Sequence, residues 1–437
     1  MTRRLAKTLL AACFLLAAAP AQVSAQLLDD TAVFSAAGGA LLNPSVGVVF
    51  VGTNHNNTKD STQPANQVAV YNRAADGRLT LLGYFNTGGQ GSGPSIRFAG
   101  DGLGSSHSIQ LTPDRKFLLV TNAGSNNISV FHVLREGLNL TDIAPTGAFP
   151  NSVSIRNRLV YVLCSAGAGS ISGYTLNDRG KLTPLSNSTR FLQANQDPVR
   201  PDTLFNPTQV SITPDGKWLV VTIKDGPAPG ALPGVTPTGP GRILVFALDK
   251  NGRPSQRFAQ TNLNFRGPFG FSFARNGDIL SALFVGGPNL TAAAGSFRIR
   301  HDGILVQTSQ VNNTQLDSCW FENNGKYGWT SNYTSGTISS YSIGHDGRLQ
   351  LLQAVAGTTD PSPNRQGSTP LDLGVSPDGR FLYNVLPGSG KVAGWRINGN
   401  GSLTKIGEFG GLPITVDGDS APEEYGPGGS PAGIAVL

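Results

Sequence analysis

Of the five histidines in the chain, His107 is the one set for chemistry. It stands in Ser106-His107-Ser108-Ile109, where an apolar run begins after a long polar stretch. A neutral imidazole there can act as general base on water or take a proton α to a carboxylate. The alternative for it is a hydrogen bond to a neighbouring element. His301 and His345 each precede Asp-Gly and read as turn residues; His132 lies inside a strand-like run and His55 in a long loop. No pair of histidines has metal-ligand spacing, so neither a metal nor a cofactor is expected. The oxygen-rich stretches 54–60 and 417–424 follow no recognised calcium-loop pattern.

Carboxylates and arginines complete the candidate set. Asp317 and Asp372 each stand at the start of an apolar run, as Thr208 and Gln209 do in another. Either aspartate can orient a base or serve as the acid/base itself; a capping hydrogen bond is the bland reading of Asp317. Arg97, Arg200, Arg266 and Arg365 lie in connecting segments. Guanidinium groups there would clamp a carboxylate or phosphate bidentately, against a plain solvated role. Arg266 is the strongest of these, because Gly267-Pro268 hold it beside a strand start. The expected catalytic set is therefore His107, Asp317 and Arg266, with Arg97, Arg200, Thr208, Gln209, Arg365 and Asp372 binding substrate.

The elements that must position these residues are repeats. Ser106-His-Ser-Ile-Gln-Leu-Thr-Pro-Asp-Arg-Lys-Phe-Leu-Leu-Val returns as Thr208-Gln-Val-Ser-Ile-Thr-Pro-Asp-Gly-Lys-Trp-Leu-Val-Val and as Leu371-Asp-Leu-Gly-Val-Ser-Pro-Asp-Gly-Arg-Phe-Leu-Tyr. Weaker copies begin near Asn151, Phe269 and Asp317, and a further unit at 46–84 lacks its first strand. Hairpin signals recur at Asp76-Gly77, Gly137, Arg179-Gly180, Asn251-Gly252, Asp302-Gly303, Asp346-Gly347 and Asn400-Gly401. Asp-Gly and Asn-Gly suit tight hairpins because their central residues accept positive φ. Seven such units, each a four-stranded antiparallel meander, describe an all-β, seven-bladed propeller. The C-terminal run 429–437 supplies the strand that the first unit lacks and closes the ring, removing exposed edges. By this count, the positions matching His107 are Thr208, Phe269, Asp317 and Leu371.

In such a meander the 1–2 and 3–4 turns emerge on one face, the 2–3 loops and blade-to-blade connections on the other. The long segments 88–105, 187–206, 357–368, 410–429, 54–66 and 225–241 all map to the second face. Long loops on a rigid scaffold are where binding concentrates, so that face is the expected working face.

Composition agrees. The chain has 437 residues, among them 56 Gly and 29 Pro, with 14% charged residues, which argues against a helical bundle and against disorder. Residues 1–25 read as a secretory signal peptide, with Arg3, Arg4 and Lys7 ahead of an apolar run and Val23-Ser24-Ala25 as the cleavage site. One propeller domain then occupies 26–437, secreted or periplasmic. Losing those three cations lowers the formal charge from +6 to +3, and no Lys/Arg run exists, so a nucleic-acid partner is not expected. No later segment is apolar enough to span a membrane. Cys164 and Cys319 fall in blades across the ring and are expected to be free, buried thiols. Sequons at Asn56, Asn127, Asn139, Asn187, Asn289, Asn312, Asn332 and Asn400 fit a glycosylated secreted protein, or ordinary turn chemistry.

The Thr/Ser-Pro-Asp-Gly-Lys/Arg-Phe-Leu units, each followed by a Val-Phe-type strand and an Asp-Gly turn, resemble the seven-bladed lactonase propellers. That family includes bacterial 6-phosphogluconolactonases and fungal 3-carboxymuconate lactonising enzymes. The resemblance spans nearly all of residues 40–437. It implies a His, a Glu and one or more Arg at the mouth of the central channel, the His in a His-Ser-Val-type strand start that His107-Ser108-Ile109 matches. Where the family carries Pro-Arg-His this sequence has Pro207-Thr208-Gln209; for Val-Asn-Glu it has Thr222-Ile223-Lys224, and for a late Pro-Arg it has Pro370-Leu371. Two functions follow as expectations. One is a lactonase or muconate-cyclase-like enzyme acting on a small carboxylate or lactone. The other is a non-catalytic extracellular propeller binding a glycan, peptide or protein. A monomer is expected in either case.

Overall fold

Seven antiparallel sheets follow one another along the chain, and their innermost strands touch in a closed circle. The computed structural model describes residues 46–95, 101–224, 240–264, 266–361, 367–415 and 427–437, without the Arg266 side chain. The signal-peptide reading of 1–25, Arg97, Arg365, most of 225–241 and the stretch 417–424 lie outside the described residues. Blade 1 is completed by Ala432–Val436, which pairs antiparallel with Gly47–Gly52. The inner strands of blades 2 to 7 are Ile109–Leu111, Pro150–Arg156, Pro207–Ile212, Arg266–Phe273, Ser318–Asn323 and Leu373–Val375. Blade 3 departs from the simple meander: its outer strand is broken into Leu182–Pro184 and Arg190–Phe191.

The repeated hydroxyl-Pro-Asp turn has one cause in three blades. The Thr112 hydroxyl donates to Asp114 (2.6 Å) and accepts from the Phe117 amide (3.0 Å). Thr213 with Asp215 and Ser376 with Asp378 repeat the arrangement. Each turn thereby satisfies the amide that starts the second strand, which a bare loop would leave unpaired.

Neighbouring blades are clasped by a second recurring device. The Tyr383 hydroxyl of blade 7 donates to the Gly77 carbonyl of blade 1 (2.8 Å), Tyr161 to Gly252 (2.6 Å) and the Trp329 indole to Gly401 (3.2 Å). Each aromatic comes from a second strand and reaches the hairpin of the following blade. Gly77 has φ +90°, and a Cβ there would fall 2.6 Å from the Phe381 ring, so only glycine suits both the turn and the contact. Between the sheets lie successive apolar layers, among them Phe117, Val130, Val153 and Val162. Cys164 and Cys319 are both free and buried.

Candidate active site on the loop-rich face

Toward the loop face, apolar side chains from several blades pack together as a plug of buried surface. Leu103, Phe149, Phe269, Trp320, Leu371 and Ala432 come from different blades, yet they are buried together in one cluster. Two polar constellations lie beside this plug.

The first holds His107. Its ring Nε2 is 3.1 Å from Glu322 Oε1, and Gln209 Nε2 is 3.1 Å from its Nδ1. The three residues belong to blades 2, 6 and 4, so the contacts cross the channel. Gln209 is fixed by the Phe271 backbone, whose amide donates to Oε1 (2.7 Å) and whose carbonyl accepts from Nε2 (2.8 Å). Its NH2, which also reaches Ser211 Oγ (2.9 Å), is thereby turned toward Nδ1, and Nε2 faces the Glu322 carboxylate. Both ring nitrogens are engaged. His107 has φ +61°, a left-handed conformation rare for a residue with a Cβ. About a fifth of the His107 and Glu322 side-chain surfaces remains exposed.

The second constellation lines a small pocket of about 50 Å³ that opens to solvent. Phe269, Trp320, Phe284 and Tyr333 supply apolar walls; Asp101, Asp317, Lys224, Thr203 and Cys319 supply polar groups. Lys224 follows the buried strand Trp218–Ile223 directly and is itself buried. Its ammonium donates to the Thr203 carbonyl and lies 4.1 Å from the Phe269 ring centroid, a cation–π contact. Burial pulls the Lys224 pKa down, while Asp101, Cys319, Asp202 and Asp317 act to hold it up. Burial pushes Asp101 up, and Lys224 with two backbone amides opposes that; the Gly104 amide donates to it at 2.7 Å. Asp317 is only half-buried. Burial raises its pKa above the usual carboxylate value, against a hydrogen bond from Thr334 and the Lys224 charge. The Cys319 thiol is pushed well up by burial and is a packing group rather than a nucleophile.

The sequence candidates thus separate. His107 and Gln209 meet, but with Glu322 and away from Asp317. Asp317 lines the pocket. Thr208 is fully buried, its hydroxyl 2.7 Å from that of Thr222, so it faces a strand and not a substrate. Asp372 is buried in the channel wall, where Oδ2 accepts from the Gly433 amide at 2.9 Å. Burial first, then the charge of Asp101, pushes its pKa up to about 7. Arg200 lines a different pocket on the same face. The strand register also corrects the count from His107. Ser318 pairs with Asn332 across a bulge, as Pro207 pairs with Ile223 and Pro150 with Cys164. Cys319, not Asp317, therefore matches Thr208 and His107.

Three residues were missed: Lys224 as a pocket group, Asp101 and Glu322. A lysine directly after a buried, mostly apolar strand was the available signal for the first. A lone carboxylate on the alternation Ser318, Trp320, Glu322 was the signal for the last. Asp101, in a long loop, carried none.

Comparison with known proteins gives a consistent picture. The family model described as lactonase, 7-bladed β-propeller, matches residues 64–199 and 282–413. A 6-phosphogluconolactonase from Formosa agariphila is 37% identical over 90 residues, 20% of this chain and 24% of that protein; the match thus spans about a quarter of the curated relative. A putative 6-phosphogluconolactonase from Bacteroides fragilis superposes with a TM-score of 0.60 at 15% identity, covering 90% of this chain and 100% of that one. A periplasmic gluconolactonase from Pseudomonas aeruginosa has a TM-score of 0.60 at 14% identity, covering 89% and 99%. At those identities the two structures share the fold.

Proposed function

Because the chain belongs to the seven-bladed β-propeller lactonase family, we propose that it hydrolyses the lactone of a sugar acid in the pocket lined by Asp101, Lys224 and Asp317. The observation that carries this reading is Lys224: a buried ammonium between two carboxylates, beside aromatic walls, in a pocket on the loop-rich face. Aromatic faces suit a sugar ring. The polar groups supply what ester cleavage needs.

Asp317 is the least buried of the three and acts as base. It takes a proton from water, and the water oxygen forms a bond to the lactone carbonyl carbon. The displaced electron pair moves onto the carbonyl oxygen, where the Lys224 ammonium stabilises it. Collapse of this intermediate breaks the bond to the ring oxygen, which recovers the proton from Asp317. A hydroxy acid is the product. Asp101 acts through Lys224, holding the ammonium charged and in place. Export is part of the same proposal, on the basic start, apolar run and small-residue end of 1–25.

The test is titration of acid released from aldonolactones by the purified chain. Turnover lost in both Lys224→Gln and Asp317→Asn, with retained folding, supports the assignment. Turnover unchanged in either variant removes it.

A further inference from the structure

The same face carries a second, larger pocket of about 400 Å³, over blades 1 to 3. Its polarity is opposite to that of the first. Lys59 and Arg200 are its charged lining residues, and no carboxylate is among the described residues that line it. Asn56 and Asn126 add amides; Phe149 and Pro198 add apolar wall. Arg200 is presented by an Asp197 turn: the Oδ1 of Asp197 accepts the Val199 and Arg200 amides at 2.8 and 2.7 Å. That carboxylate oxygen is thereby committed to backbone. The Arg200 Nη1 is buried without a hydrogen-bond partner among the described residues. A buried guanidinium nitrogen left unpaired is unfavourable, and an oxyanion is the group that satisfies it.

We propose that this pocket binds a hydroxylated carboxylate, a sugar acid, with Arg200 gripping the carboxylate and the Asn126 amide nitrogen facing a hydroxyl. The choice of a sugar acid rests on the lactonase reading, which makes such an acid on the same face; the anion preference rests on the pocket alone. A cavity of this size accommodates a ligand of several hundred daltons, so the acid is either the free product or the uronate end of a glycan.

Calorimetric titration of potassium gluconate and of digalacturonate into the full chain tests this, using Lys224→Gln as the background so that the first pocket is altered. One site per chain is expected, weakened at least tenfold by Arg200→Gln and partly recovered in Arg200→Lys. Tighter gluconate assigns the free product, and tighter digalacturonate assigns the glycan end. Binding unchanged by Arg200→Gln, equal binding of inorganic phosphate, or no binding of either acid overturns the proposal. The readout is binding, so Arg200-dependent binding in a protein that turns over no lactone would remove the catalytic reading and keep this one.

Discussion

His107 and Lys224 lie beside the same apolar plug, and their surroundings differ in kind. His107 has a partner for each ring nitrogen, and Gln209 is itself locked by the Phe271 backbone. That circuit is closed: it ties blades 2, 4 and 6 across the channel and leaves no nitrogen for a substrate. Lys224 sits in an open circuit, its charge shared among carboxylates that burial drives toward neutrality. A satisfied polar network specifies structure, whereas an electrostatically poised one beside a cavity can do chemistry. The family resemblance pointed to the first cluster; the geometry favours the second.

A large expected effect tests the open circuit at its centre. Lys224→Gln should lower kcat for lactone hydrolysis by roughly 10²–10³, the range for losing one oxyanion donor. Steady-state assays on folded variant measure it. Activity near wild type would mean that Lys224 only neutralises Asp101, and the distinction between the clusters would fail.

Asp317→Asn comes next, with a loss of roughly 10²–10⁴ for removal of a general base. Its pH profile sharpens the result. The base must be ionised, so wild-type kcat should rise with pH through the Asp317 pKa. Burial raises that pKa, so the acid limb should lie above the ordinary carboxylate range. A limb at or below that range would assign the base elsewhere.

How far these clusters could be read in advance depends on what local sequence encodes. The propeller is legible because each blade repeats its own local chemistry: the hydroxyl-Pro-Asp turn and the hairpin glycine are set within a few residues. The placement of His107 at a strand start was legible for the same reason. Its partners were not, since Gln209 and Glu322 are brought to it by ring closure and no local signal records which blades face each other. The register of Asp317 differs from a count along the chain because the first turn of blade 6, between the paired Asn323 and Gly328, is two residues shorter than the turn between Ile212 and Leu219 in blade 4. Lys224 stands where the sequence departs from a family motif, and only the fold shows that it is buried beside Asp101 and Asp317. The family model skips 200–281, which holds Thr208, Gln209 and Lys224. Two of the three departures, at 207–209 and 222–224, fall in that gap.

Asp372 lies between the two clusters and offers a smaller, thermodynamic test. Its pKa is about 7 in the folded chain against an ordinary 3.8. The native state therefore holds a proton that the unfolded chain releases as pH rises. Below about pH 4 both states are protonated and the stabilising contribution is fully present; it is lost as pH climbs to about 7. The full swing is on the order of 4 kcal/mol. Asp372→Asn keeps an acceptor for the Gly433 amide and removes the titration, so chemical denaturation should find the variant more stable at pH 8 and equal at pH 4. A variant that declines with pH as the wild type does would place the titrating group elsewhere.

The smallest effect concerns the closed circuit. His107→Gln removes the ring that joins Glu322 to Gln209 and leaves a left-handed residue without its cross-channel bonds. Losing a hydrogen bond to a charged partner costs about 1.5–3 kcal/mol, and the exposed part of Glu322 can regain some of that from water. The expected loss of unfolding free energy is about 1–2 kcal/mol, with kcat/KM for lactone changed less than threefold. Glu322→Gln should cost less, because its amide oxygen still accepts from Nε2. Paired denaturation and kinetic measurements on the same preparations decide between the roles. A large fall in kcat with unchanged stability would make His107 the catalytic base after all and reverse the two clusters.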